Sequence, residues 1–182
     1  TPFLAGTVSL RGGRIDDLYL KQYRETLADD SPNVELFRPQ GAEHAYFAQF
    51  GWVGSNIPGL PGPNTVWTRS EGDVLRPGQP VTLRYDNGAG LVFTRRISVD
   101  DRYLFTIADT VANASGAPVQ LSAYGSVQRH ALPALINNMI LHEGLIGVLG
   151  ADGLQEYTYD HLAKEPALGN ASTKGKTWPG VT

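Results

Sequence analysis

Leu91-Val92-Phe93-Thr94-Arg95-Arg96-Ile97-Ser98-Val99, an Asp100-Asp101 turn, and then Arg102-Tyr103-Leu104-Phe105-Thr106-Ile107-Ala108-Asp109-Thr110-Val111-Ala112 form the stretch on which the fold turns. Leu91, Phe93, Ile97 and Val99 recur with a period of two, and so do Tyr103, Phe105, Ile107 and Val111. That period predicts antiparallel strands with one dry face. Upstream, Val81 to Tyr85 reads as the beginning of the first strand, broken at Asp86-Asn87-Gly88-Ala89-Gly90. Downstream, Asn113-Ala114-Ser115-Gly116-Ala117 is expected to turn the chain into a third strand, Val119 to Ala123, prolonged to His130. A slip of one residue would turn every apolar side chain outward, so matching the dry faces sets the register. It pairs Val99 with Tyr103, Ile97 with Phe105, Leu91 with Val111, Val111 with Val119, and Ile107 with Ala123. The expected core is Leu91, Phe93, Ile97, Val99, Tyr103, Phe105, Ile107, Val111, Val119 and Leu121. Arg95 and Asp109 fall on the apolar parity and are expected to be diagonal neighbours forming an ion pair near the rim of the sheet.

The rest of the chain repeats this grammar. Thr7 to Leu10 and Ile15 to Leu20 read as strands around an Arg11-Gly12-Gly13-Arg14 turn, with Lys21 to Thr26 as a polar extension. Val34 to Phe37 is a short strand ended by Pro39, which cannot donate to a ladder. Ala45 to Val53 carries Tyr46, Ala48, Phe50 and Trp52 on one side and Phe47 on the other, the mark of an interior strand. Asn56-Ile57-Pro58-Gly59-Leu60-Pro61-Gly62-Pro63-Asn64 is too rich in Pro and Gly for regular structure and reads as an ordered loop or a flap. Val66 to Thr68 is a brief strand, and Leu75 to Pro80 is a turn. Pro133 to Asn138 reads as a loop or a single helical turn. Gly144 to Gly150 and Leu154 to Tyr159 read as strands around Ala151-Asp152-Gly153, and the chain becomes loop-like from Ala163. About a dozen short strands at hairpin spacing predict an all-β fold, a sandwich of antiparallel sheets with few short helices, in a single domain spanning 1–182.

Composition narrows the function. With 21 Gly and 12 Pro the chain is rich in turns, and a net charge of −3 supplies no basic stripe, so no nucleic acid is expected as a partner. The absence of cysteine removes disulfides, thiolate metal sites and a Cys nucleophile. No run of some 18 apolar residues exists.

Each chemical motif fails its own spacing test. Gly175-Lys176-Thr177 has Asn170 where a P-loop needs its first glycine, and Trp178-Pro179-Gly180 follows where a helix must open. His142-Glu143 has Ile146 where a zinc-protease helix needs its second histidine. Asn113-Ala114-Ser115 and Asn170-Ala171-Ser172 mark surface loops. There is no Gly-x-Ser-x-Gly elbow, and His44, His130, His142 and His161 are dispersed. No catalytic residue, metal ligand or cofactor site is assigned. Sheet edges, together with the 56–64 loop, are instead expected to border a groove that takes an extended polypeptide; the loop residues singled out are Asn56, Ile57, Pro58, Gly59, Leu60, Pro61 and Gly62.

Longer strings carry a resemblance. Ser9-Leu10-Arg11-Gly12-Gly13-Arg14-Ile15-Asp16-Asp17-Leu18, Lys21-Gln22-Tyr23-Arg24-Glu25-Thr26, Gly90-Leu91-Val92-Phe93, Ser98-Val99-Asp100-Asp101 and Leu141-His142-Glu143-Gly144-Leu145-Ile146-Gly147-Val148 resemble the large periplasmic domain of the bacterial YidC membrane-insertase family, in its alphaproteobacterial form. The similarity runs in order from about Gly6 to Trp178. It implies a β-supersandwich of galactose mutarotase type on the periplasmic side of the inner membrane, tethered by transmembrane helices that this chain lacks. It further implies an accessory and interaction module, monomeric in isolation, whose partners are Sec translocon components such as SecDF and nascent membrane proteins. The family continues into helices past the Trp178 phrase, and Pro179 stands where it more often has an aliphatic residue. The implied fold is shared with sugar epimerases, so the rival function is a carbohydrate-binding or epimerase domain, with His130 or His142 as acid and Glu143 or Glu156 as base.

Overall fold

A computed structural model of the chain describes residues 1–132, 142–148 and 153–164. These fall in two compact units, residues 1–130 and a second that begins at Ala131. The first contains β1 (Leu4–Ser9), β2 (Arg14–Arg24), β3 (Asn33–Phe37), β4 (Tyr46–Val53), β5 (Thr68–Glu71), β6 (Val81–Asp86), β7 (Leu91–Val99), β8 (Phe105–Asn113) and β9 (Ser122–Arg129). Its pairings are antiparallel, and they build two sheets. One runs β1-β2-β4-β9 with β3 also on β2; the other runs β5-β6-β7-β8.

The period-two faces close this sandwich. Ile15 and Ala48 from the first sheet pack with Trp67, Val81, Leu83, Leu91, Phe93 and Ile97 in one buried cluster. Leu4, Leu18 and Val99 form a second. Ile15 and Leu18 both reach the interior because Thr7 pairs with Asp17 while Val8 pairs with Ile15, which leaves Asp16 as the extra residue of a bulge. Asp16 is buried beside Arg14, whose Nε donates to its carboxylate at 3.3 Å. Removing a phenylalanine such as Phe93 from water contributes about 2–3 kcal/mol, and Trp52 and Tyr85 flank its ring at 6.1 and 6.2 Å.

Four expectations about the central stretch are corrected. Val81–Asp86 and Leu91–Val99 are two strands of a hairpin, with Val81 opposite Ile97. The hairpin forms because Asn87 folds the intervening segment: its Oδ1 accepts from the amides of Ala89 and Leu91, both at 2.9 Å. Second, β7 and β8 pair two residues away from the expected register, Val99 with Phe105, Ile97 with Ile107 and Phe93 with Val111. A slip of two preserves the faces, so periodicity alone does not detect it. It arises because Asp100 Oδ1 accepts from the amides of Arg102 and Leu104, both at 2.8 Å, and spends residues 100–104 on the turn. Tyr103 is thereby forced to φ 70° and lies against Phe3 at 5.7 Å. Third, Arg95 stands directly opposite Asp109 rather than diagonal to it. Fourth, β9 does not follow β8 in its sheet. It crosses to the other sheet and pairs with β4, Tyr46 opposite Arg129 through Val53 opposite Ser122. This gives β4 neighbours on both sides, as its two apolar faces predict. It also makes β8 an edge, so Phe105, Ile107, Val111, Val119 and Leu121 pack on the core only partly buried.

Smaller differences follow local chemistry. β2 continues through Lys21 to Arg24, and the strand expected at Val66 begins at Thr68. In the second unit, β10 (Gly144–Val148) pairs with β11 (Leu154–Thr158), as expected. Thr158 Oγ1 accepts from the amide of His161 at 3.2 Å, a capping contact that ends the strand one residue early and starts α1 (Tyr159–Lys164). The segments read at 133–141, 149–152 and 165–182 lie outside the described residues.

Candidate functional site

The loop singled out in the sequence is held at three places. Asn56 adopts φ 59° and Gly59 φ 66°, which folds the segment back so that Ile57 and Leu60 pack on the main cluster. Asn87 of the β6–β7 turn donates from Nδ2 to the carbonyl of Pro58 at 3.0 Å. Gly62 and Thr65 then close a turn: the Gly62 amide donates to Thr65 Oγ1 at 2.9 Å, and the Thr65 amide to the Gly62 carbonyl at 3.1 Å. Beyond the turn, the carbonyl of Thr65 accepts from the Gly12 amide at 2.7 Å and that of Pro63 from Arg14 Nη1 at 2.9 Å. Of the two sequence readings, ordered loop and flap, the structure selects the ordered loop. Asn56, Pro58 and Gly59 are exposed, Ile57, Leu60 and Gly62 half-buried, and Pro61 buried.

Beneath this end of the sandwich lies the charged pair, in the core rather than at the rim. Arg95 has no solvent exposure, and the side chain of Asp109 keeps 11%. The pair is bidentate, Nε to Oδ1 at 2.8 Å and Nη2 to Oδ2 at 2.6 Å. Nη1 donates to the carbonyls of Gly12 and Gly13 at 3.3 and 3.1 Å. The guanidinium lies 4.9 Å from the Trp67 ring centroid and 5.5 Å from that of Phe50. Arg95 thus ties the β1–β2 turn to the opposite sheet. The sequence signal for this was its apolar parity and the glycine pair; the contact between them is tertiary.

Nothing comparable gathers around the histidines. His130 is edge-on to Phe47 at 5.5 Å, and His161 stacks on Tyr157 at 6.2 Å. His142 Nε2 is buried without a hydrogen-bond partner among the described residues, and Glu156 is exposed. Among the described residues no group of three His, Asp or Glu side chains is disposed to hold a metal. Perturbed pKa values occur at the Thr1 amino terminus, lowered by burial, and at one surface network. Hydrogen bonding from Arg38 holds Glu35 below its ordinary range, and the charge of Glu35 raises Tyr19. No helix among the described residues is long and apolar enough to cross a membrane.

The first unit is thus an antiparallel β-sandwich with a Pro/Gly loop pinned to its β6–β7 turn. The chain belongs to the family described as YidC periplasmic domain, whose model matches residues 1–182. It is 53% identical over 182 residues to the membrane protein insertase YidC of Methylorubrum extorquens (strain PA1) and 55% identical over 182 residues to that of Methylobacterium radiotolerans. It is 53% identical over 186 residues to that of Caulobacter vibrioides. Each match covers 100% of this chain and 29%, 29% and 30% of the relative, respectively, so the chain spans about three-tenths of the length of the curated relatives it matches. The alphaproteobacterial resemblance seen in the sequence is therefore borne out.

Proposed function

We propose that the chain acts as one periplasmic accessory domain of an inner-membrane protein insertase, where it binds extended polypeptide by main-chain pairing at its sheet edges and beside residues 56–62. The observation that carries this is the family membership of the whole chain. The edges supply the chemistry: unpaired amides and carbonyls recognise any extended segment, whatever its side chains. Nascent membrane proteins and Sec components such as SecDF are the proposed partners. Photocrosslinkers at Asn56, Pro58 and Thr110 of the full-length protein, in membranes synthesising an insertase substrate, should give adducts with nascent chain or Sec components. Adducts with unrelated neighbours alone would make the domain a structural spacer.

The proposal includes no catalysis. The relatives are named for insertion, and a shared fold does not transfer a sugar-ring chemistry. Anomer exchange of aldoses, followed by polarimetry, should run at the buffer rate. Acceleration lost in His130→Ala or Glu143→Ala would overturn this in favour of an epimerase.

A further inference from the structure

Among the described residues, β8 is an edge without the protection that sheet edges normally carry. It runs from Phe105 to Asn113 with no register irregularity against β7. It contains no proline and no lysine. Its outward side chains are Thr106, Ala108, Thr110 and Ala112, all small and exposed. Its one charge, Asp109, is spent on Arg95 through both carboxylate oxygens. Natural edges are blunted by bulges, prolines, charges or shortness, and several other described edges of the sandwich show such devices. β5 is four residues long with a register shift and an Arg69–Asp73 ion pair; β1 faces the Asp16 bulge of β2; β3 has register shifts and an Arg38–Glu35 pair. β9 ends in Arg129, stacked over Tyr46.

The phase of the hydrogen bonds identifies the free groups. At one end of the β7–β8 hairpin the Asp100 amide donates to the Leu104 carbonyl at 3.0 Å, and at the other the Ala114 amide donates to the Gly90 carbonyl at 2.8 Å. Both place even-numbered residues of β8 in the bonded pairs, because bonded and non-bonded pairs alternate along an antiparallel ladder. Phe105, Ile107, Asp109 and Val111 therefore direct their N–H and C=O away from β7, and no described strand meets them. The same residues turn half-buried side chains toward the core. A strand added here would lay alternate apolar side chains beside Ile107 and Val111, and a small hydroxyl or amine beside Asp109.

We propose that β8 is the edge that takes the guest strand, and that the guest is an extended polypeptide segment with apolar residues at alternate positions. This rests on the polypeptide-binding role above and narrows it to one edge. The half-buried stripe of Ile107 and Val111, with Asp109 between them already paired to Arg95, selects such a segment over an acidic or basic one.

Amide hydrogen exchange tests it. The probe is a peptide of alternating valine and threonine with lysines at both ends, about ten residues long to match the edge. With the peptide at about ten times its Kd, exchange at Ile107, Asp109 and Val111 should slow roughly tenfold. Val111→Pro removes one outward N–H and leaves the ladder to β7 intact; it should abolish that protection. If that variant melts early, Ile107→Lys, which turns a charge inward at the edge, should do the same. Four outcomes overturn the proposal. Protection confined to other residues, such as 56–62, rejects β8 and leaves the polypeptide role standing; no binding anywhere rejects both. Protection of the three amides in the free monomer at every concentration means the chain covers its own edge. Protection that rises with protein concentration, alongside a dimer in sedimentation, assigns the edge to a second copy.

Discussion

Arg95→Ala should lower the stability of the sandwich by about 3–5 kcal/mol, because it strands a mostly buried Asp109 carboxylate without its partner. At this chain length the melting midpoint should fall by roughly 10 °C. Three separate contacts disappear with the side chain: the bidentate pair, the donation to the Gly12 and Gly13 carbonyls, and the packing of the guanidinium on Trp67 and Phe50. Asp109→Ala leaves the cation in place with two carbonyl acceptors and should cost less. Replacing both residues together, Arg95→Met with Asp109→Leu, should recover much of the loss, since apolar pairs of similar volume often match buried ion pairs. Guanidinium unfolding of the four proteins decides the matter. An Arg95→Ala protein within about 1 kcal/mol of the parent would mean that the pair contributes no more than a surface one.

Gly13→Ala should cost more than the left-handed backbone alone explains, because the added methyl meets Arg95. Gly13 has φ 58°, and a Cβ there would sit 3.0 Å from Arg95 Nη1 and 3.4 Å from Trp67 Nε1. The left-handed backbone alone costs an alanine about 1–2 kcal/mol, and displacement of the guanidinium adds to it. Gly78 provides the control: its φ is 75°, and a Cβ there meets nothing within 4 Å. Gly78→Ala should show the backbone cost by itself. The excess at Gly13 should shrink in the Arg95→Ala background, a coupling of at least about 0.5 kcal/mol. Equal losses at the two glycines in the parent, with no coupling, would show that the turn does not depend on Arg95.

The class of fold was readable because alternation survives every error made in placing it. Leu91, Phe93, Ile97 and Val99 are buried as their period predicts, and Tyr46 to Val53 is an interior strand as its two faces predict. What escaped was information held in side chains that act on backbone. Asp100 consumes residues in a turn and moves the β7–β8 register by two, and Asn87 makes two strands of a segment that reads as one. Neither effect changes which residues are apolar. The destination of β9 was also hidden, since nothing in Ser122 to Arg129 indicates which sheet it joins. The loop at 56–64 was visible from its Pro and Gly content, but its anchoring depends on Asn87 and Gly12, distant in sequence. The free edge of β8 required knowledge that the next strand leaves.

The crossing of β9 imposes an order of events on a chain that emerges from its N-terminus. From the preceding chain β4 pairs at Ala48 with Ile15 and at Tyr46 with Arg38, whereas β9 pairs along its whole length, so that ladder waits for Ser122 to Arg129. At about 5–20 residues per second, the interval between the appearance of Val53 and that of Arg129 is roughly 4–15 s. β5 to β8 form local hairpins and need no such delay. The nascent domain therefore spends seconds with one sheet assembled and the other exposing the aromatic face of Tyr46, Phe50 and Trp52, a period in which it is itself a client for whatever shields unfinished sheets.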